Sequence, residues 1–168
     1  EEGRPARRGP RRQCAGASKP AREQSRRITL AMADRYGQNP HIIGWQTDNE
    51  YSCHDSTLSY GPEDREAFQI WLGKVYGDIN TLNAQWGTVF WSMTYRSFEE
   101  IDLPNRLTAD AAPAHWLDFR RFFSDMTVEF NREQCDILRA GSREDMFITH
   151  NFMVAEMGFD PWDVSADL

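Results

Sequence analysis

Apolar residues recur along this chain in two rhythms, and the alternation between them outlines its elements. Over AREQSRRITLAMADRYG, the positions Ile28, Ala31, Met32 and Tyr36 follow helical spacing, and Gly37 suits the residue just past a helix end. After the turn QNP, the run HIIGWQTDNEY is β-branched and aromatic, then stops in polar residues. Ile42, Ile43 and Trp45 do not alternate cleanly, the pattern of a strand covered on both faces in a parallel sheet. Pro62 is well placed to open a second helix over PEDREAFQIWLGKVYG, where Phe68, Trp71, Leu72 and Val75 form one stripe and Gly77 closes it. A shorter helix follows in DINTLNAQWG, with Asp78 as N-cap and Ile79, Leu82 and Trp86 inward. The stretch from Thr88 to Ala112 is irregular and too long for a simple connection. Its aromatics Phe90, Trp91, Tyr95 and Phe98 argue against disorder. The strongest helical pattern, Pro113 to Ala140, steps through Trp116, Phe119, Phe123, Met126, Phe130 and Ile137 before Gly141. MFITHN reads as a second short strand, and the tail after Phe152 shows no regular pattern.

Helix, strand, helix, short helix, loop, long helix, strand is the order of an α/β fold with parallel strands joined by crossovers. Two strands are too few to cover such apolar helices, so the chain reads as an incomplete piece of a larger sheet. Its 168 residues suit one domain with a real core. They fall short of the roughly 250 that a whole (β/α)8 barrel takes.

Composition and charge narrow this picture. With 40% hydrophobic and 27% charged residues, the chain is not disordered. No apolar run approaches the roughly 20 residues of a bilayer span, so no membrane role is expected. The net charge of −7 is unevenly spread, since residues 1–27 hold nine basic side chains against three acidic ones. The opening residues 1–19 lack large apolar side chains and are expected to be a disordered or non-homologous basic segment, leaving 20–168 as the domain. They have no apolar core of a secretory signal and no aromatic platform for bases, so no nucleic-acid partner is expected. Cys14, Cys53 and Cys135 are widely spaced and form neither a disulfide framework nor a paired metal knuckle. A reducing, cytoplasmic setting follows from that usage.

In parallel α/β folds, functional side chains gather where strands leave the sheet at their carboxyl ends. Those ends here read Asp48-Asn49-Glu50 and His150-Asn151. A strand-end carboxyl partly withdrawn from water holds its proton closer to neutral pH, as a general acid requires. An amide beside it offers both a donor and an acceptor to a sugar hydroxyl. Glycoside hydrolysis uses two carboxyl groups, one to protonate the leaving oxygen and one to act at the anomeric carbon. Glu50 is thereby a candidate catalytic acid, with a capping or solvated carboxylate as the plainer reading.

The surrounding text is more specific. YGQNPHIIGWQTDNEYSCHDS, AFQIWLGKVYGDINTLNAQWGTVFWSMTYRSFEEIDLPN, PAHWLDFRRFFSDMTVEFNREQCDILR and FITHNFM together resemble the glycoside hydrolase family 42 β-galactosidases over roughly residues 20–168. The resemblance implies a partial TIM (β/α)8 barrel in which HIIGWQTDNE is the fourth strand and MFITHN the fifth. It further implies a retaining β-galactosidase acting on terminal β-D-galactosyl residues without a cofactor, as part of a homotrimeric parent enzyme. Glu50 matches the family's general acid/base, Asn49 the amide beside the scissile bond, and Trp91 an aromatic of the galactose pocket. His150 and Asn151 are expected to line the cleft, and Asp48 and His54 are candidates for tuning Glu50. Trp45 and Trp86 read as core. The family's nucleophile, a Glu at the end of strand seven, has no counterpart here, and Glu156 is not assigned to it. Some members hold zinc on cysteines just after the Asn-Glu pair, where this chain carries Ser59, Gly61 and Asp64, so no metal is expected. A family arginine that contacts substrate cannot be chosen among Arg8, Arg11 and Arg12. The alternative function is a non-catalytic sugar-binding or interaction remnant of such an enzyme.

Overall fold

The computed structural model describes residues 17–53, 58–104, 112–153 and 158–168. Helix α1 (Lys19–Tyr36) leads to strand β1 (Gly44–Gln46), then α2 (Pro62–Tyr76) and α3 (Ile79–Trp86). Two 3-10 turns (Phe90–Ser92 and Phe98–Glu100) punctuate the long loop before α4 (Pro113–Gly141), strand β2 (Phe147–Thr149) and α5 (Pro161–Ser165). The strands pair in parallel, with Gly44, Trp45 and Gln46 opposite Phe147, Ile148 and Thr149. The chain is therefore α/β with a crossover between neighbouring parallel strands. Most of residues 1–19, together with His54 and Glu156, lie outside the described residues.

Local chemistry explains most boundaries. Pro62 and Pro113 open α2 and α4 at the position where a missing N–H costs nothing. The Asp78 carboxylate accepts from the Asn80 and Thr81 backbone N–H groups, as an N-cap should. Gly77 and Gly87 close α2 and α3 with φ of +76° and +66°, which favour glycine. Helix α5, absent from the sequence expectation, starts the same way: Asp160 caps the Trp162 N–H and Pro161 occupies the first turn. At five residues it is too short to display a periodicity.

The α1 expectation needs correction. Ile28, Met32 and Tyr36 are exposed, and the buried face is Thr29 and Ala33. Small residues face α4 because the two helices cross too closely for larger ones. A Cβ on Gly37 would stand 2.1 Å from the Gly141 carbonyl oxygen, and one on Gly141 would stand 2.8 Å from the Ala33 Cβ. Gly37 is thus required by close approach rather than by a left-handed turn, its φ being −60°. Arg22 adds ion pairs to Glu133 at 2.9 Å and Glu129 at 3.3 Å. The double coverage expected of β1 is also incomplete, since Ile43 is 71% exposed and Trp45 half-buried. Among the described residues β1 pairs only with β2, so its other edge has no strand beside it.

Helix α4 organises the interior. Its Phe119, Phe122 and Phe123 meet Phe68, Leu72, Leu82, Trp86, Ile101 and Leu103 in one core. Further along, Val128 packs with Tyr51, Phe159 and Val164 in a second core. Trp116, Met126, Phe130 and Ile137, expected inward, are half-buried at the rim, and Val75 of α2 is 52% exposed. The long loop is held where it is described. The Asn83 amide accepts from the Tyr95 N–H at 3.0 Å and donates to its carbonyl at 2.7 Å. Gln69 donates to the Ile101 carbonyl at 2.7 Å. Finally, the Arg143 guanidinium donates to the carbonyls of Asn39 and Ile42, and its backbone N–H bonds Gly37. One side chain thus ties the turn before β1 to the turn before β2 and fixes their register.

Candidate active site

The site forms where β1 and β2 end side by side. Beyond Gln46 the ladder continues for one bond, from the Thr47 N–H to the Thr149 carbonyl at 3.0 Å. Then β1 leaves the sheet in an unusual way: Asp48, Glu50 and Ser52 have φ of +46°, +48° and +71°. Left-handed backbone costs a residue with a Cβ about 1–2 kcal/mol, so three alternating examples need support from their surroundings.

Two consecutive residues after β2 give that support. The His150 ring bonds the Thr47 carbonyl through Nδ1 at 2.6 Å and accepts the Tyr51 N–H at Nε2, 3.3 Å away. Because a carbonyl only accepts and an N–H only donates, the ring is neutral with its proton on Nδ1. Burial holds His150 below the usual histidine range, opposed by the Thr47 carbonyl and by Asp48. Its ring stacks on Tyr51 with centroids 4.2 Å apart. Asn151 holds the middle of the loop. Its Oδ1 accepts from the Glu50 N–H at 3.3 Å and from Gln46 Nε2 at 3.0 Å, and its Nδ2 donates to Asn49 Oδ1 at 2.9 Å.

A polar group within α4 braces the loop from below. Asn131 is fully buried, and its Oδ1 accepts from Thr47 Oγ1 at 2.8 Å and from the Tyr51 hydroxyl at 3.4 Å. Gln134 donates to that hydroxyl at 3.1 Å. Burial, with Asp48 nearby, pushes the Tyr51 phenol well above its ordinary value, so it stays a neutral donor. The sequence reading missed Asn131, Gln134, Thr47 and Tyr51. The available signal was a row of uncharged polar residues, Thr127, Asn131 and Cys135, at four-residue spacing on the inner face of α4.

Of the candidates from sequence, Glu50, Asn49 and Asn151 are brought together by direct bonds, and His150 bonds the flanking Thr47 and Tyr51. Glu50 is half-buried, and among the described residues its carboxyl group takes no hydrogen bond or ion pair, leaving both oxygens for a ligand. Asp48 accepts the Asn49 N–H at 2.8 Å, and crowding by protein raises its carboxyl above the usual range. Trp91 belongs to the first 3-10 turn, and its side chain lies outside the described residues. Trp86 sits in the core, donating to Asp118 Oδ2 at 2.8 Å, and Trp45 is half-buried with its N–H on Ser142 at 2.9 Å. Among the described residues, no group of three or more His, Cys, Asp or Glu is arranged to hold a metal. No helix among them is long and apolar enough to cross a membrane.

A half-buried carboxyl with no partner among the described residues, beside an oriented amide at the carboxyl end of a parallel strand, is a geometry for proton transfer to a bound polar ligand. The family model for beta-galactosidase, glycoside hydrolase family 42, matches residues 1–168. The chain belongs to this family. The β-galactosidase of Thermus thermophilus is 47% identical over 167 residues, which cover 99% of this chain and 26% of that protein. A crystal structure of a β-galactosidase from the psychrophilic Marinomonas ef1 superposes with a TM-score of 0.91 at 48% identity, over 96% of this chain and 25% of that one. The polyextremophilic β-galactosidase of the Antarctic haloarchaeon Halorubrum lacusprofundi gives a TM-score of 0.92 at 42% identity, over 97% and 24%. The chain thus spans about a quarter of the length of these family 42 relatives.

Proposed function

We propose that this chain supplies the acid/base half of a retaining β-galactosidase site, carried on strands four and five of a (β/α)8 barrel. The observation that supports this most directly is that the carboxyl group of Glu50 is unengaged among the described residues, on a loop clasped by the residues that follow the neighbouring strand. Family membership supplies the reaction class. In this reading Glu50, protonated, donates to the glycosidic oxygen as a second carboxylate attacks the anomeric carbon and the glycosidic bond breaks. That nucleophile comes from outside these residues. Glu50, now a carboxylate, takes a proton from water, whose oxygen attacks the galactosyl-enzyme and restores both groups. A retaining site needs its two carboxyl groups about 5–5.5 Å apart. Asn49 holds a sugar hydroxyl beside the scissile bond, and Trp91 lines the galactose pocket. The reading extends to a homotrimeric, cytoplasmic parent enzyme, on the strength of the resemblance and of three widely spaced cysteines.

The test places this chain in the Thermus thermophilus enzyme, in exchange for the segment it matches. The exchanged enzyme is expected to hydrolyse chromogenic and alkyl β-galactosides. Glu50→Gln should lower alkyl galactoside turnover by about 10²–10⁴-fold, with a smaller loss for activated aryl leaving groups that need little protonation. Azide should restore part of the aryl rate by attacking the galactosyl-enzyme. Unchanged alkyl turnover in Glu50→Gln overturns the assignment. The chain by itself should turn over little substrate, because it lacks a nucleophile.

A further inference from the structure

The amides at the two strand ends form a directional chain whose polarity can be read without ambiguity. Nitrogen and oxygen of an amide look alike, so orientation must come from the bonding pattern. Here one member of the chain is a backbone N–H. The Glu50 N–H can only donate, so the Asn151 atom 3.3 Å from it is Oδ1. That oxygen takes Gln46 Nε2, and Gln46 also donates to the Asp48 carbonyl at 3.1 Å, which fixes its orientation a second time. With Oδ1 so placed, Asn151 Nδ2 meets Asn49 and must find an acceptor, which is Oδ1 at 2.9 Å. The Asn49 oxygen is thereby occupied, and its Nδ2 is the end left for a ligand.

We propose that Asn151 is a positioning residue that sets Asn49 to present an N–H donor, so that the site selects a sugar hydroxyl acting as acceptor at the carbon beside the scissile bond. The proposal rests on the reading of Glu50 and Asn49 given above. A hydroxyl that accepts from Asn49 keeps its own hydrogen for another acceptor of the site, and that bond strengthens as positive charge on the sugar ring acidifies the hydroxyl, so the effect falls on the transition state. The same Asn151 oxygen holds the backbone of Glu50 in its left-handed conformation, which couples the placement of the acid to the polarity of the amide.

The experiment compares kcat/KM for a β-galactoside and its 2-deoxy counterpart in the exchanged Thermus thermophilus enzyme. Asn151→Asp keeps an acceptor for Gln46 and for the Glu50 N–H but loses the donor to Asn49. The Asn49 amide then turns its nitrogen towards the new carboxylate and its oxygen towards the ligand, so the sugar hydroxyl must spend its own hydrogen on Asn49 and loses it for the other acceptor. The galactoside to 2-deoxygalactoside ratio should fall about tenfold or more, approaching the ratio of Asn49→Ala. The added negative charge acts on both substrates alike and cancels in the ratio. Gln46→Glu attacks the same polarity from the other end and should lower the ratio as well, which keeps the test open if Asn151→Asp does not fold. A ratio unchanged in folded Asn151→Asp or Gln46→Glu overturns the proposal, because a merely structural role depresses both substrates together. That result with Glu50→Gln still crippled leaves the acid assignment standing. Full alkyl turnover in Glu50→Gln removes both.

Discussion

Acid should weaken this fold chiefly through His115, and the structure sets the size of the effect. His115 is buried on α4 between the Phe68 ring, 5.9 Å away, and the Trp86 ring, 4.8 Å away, with Nε2 on the Asp102 carbonyl at 2.9 Å. Burial holds its pKa down to about 4, against 6.5 for the free side chain, while the Asp102 carbonyl and the nearby Asp118 oppose the shift. The unfolded chain therefore binds this proton first. The stability that His115 contributes is fully present above about pH 6.5 and drains away as pH falls towards 4. The gap between 6.5 and about 4 corresponds to roughly 3 kcal/mol. The assay is urea unfolding of the 168-residue chain at several pH values across that window, followed by tryptophan fluorescence. Trp86 lies against His115 and is quenched when the ring charges, so it reports the same event locally. His115→Phe keeps an aromatic ring in the slot and cannot titrate. It gives up the bond to Asp102, about 1 kcal/mol at neutral pH, but should lose roughly 3 kcal/mol less than the parent on acidification. His150 is also held low and leaves the variant with a residual slope in the same direction. Parallel stability curves for the two proteins would refute the reasoning.

Further substitutions test the packing and the brace beneath the site. Gly37→Ala drives a methyl group onto the Gly141 carbonyl and must push α1 away from α4, so urea unfolding should show a loss of roughly 1–3 kcal/mol or more. Asn131→Leu leaves the Thr47 hydroxyl without its 2.8 Å acceptor and the buried Tyr51 hydroxyl without its acceptor at 3.4 Å, at a cost of about 2–4 kcal/mol. In the exchanged enzyme the same variant should slow turnover beyond any loss of folded protein, since Thr47 and Tyr51 bracket Glu50. Normal turnover per folded molecule would mean that the brace supports stability alone.

How much of this was legible in the sequence depends on what each residue answers to. Helices α2, α3 and α4 were read from periodicity and caps because Phe68, Leu72, Leu82 and the phenylalanines of α4 bury against partners within the same chain. The apolar positions of α1 misled because the face that meets α4 is chosen by size, and Ala33 and Gly37 carry no hydrophobic signal. Glu50, Asn49 and Asn151 were visible as polar residues ending apolar runs, and the family resemblance raised them above a bare dipeptide. Asn131 was invisible by the same logic that found the strands. A fully buried amide on an apolar helix face looks like an interruption until Thr47 and Tyr51 are seen to donate to it.

The geometry also explains why neighbouring strands make this site together. In a regular parallel pair, Gln46 and Thr149 are in register, and the chains would continue side by side. Instead the positive φ at Asp48 and Glu50 curls the chain back after β1, so that the Glu50 N–H and the Gln46 side chain converge on one amide, Asn151, just beyond β2. An unsupported curl of that kind costs several kcal/mol, on the order of 1–2 per left-handed residue. The ring of His150 holds Thr47 and Tyr51, the two ends of the curl, and Asn151 holds its centre. Each clamp is a single side chain that bonds the backbone of the curl, so the position of the Glu50 backbone depends on the residues that follow β2 as directly as on its own strand. A charge on His150 would remove the acceptor for the Tyr51 N–H and loosen one end of the curl while Asn151 still held the middle. Acid that charges His150 should therefore loosen the placement of Glu50 from the Tyr51 end.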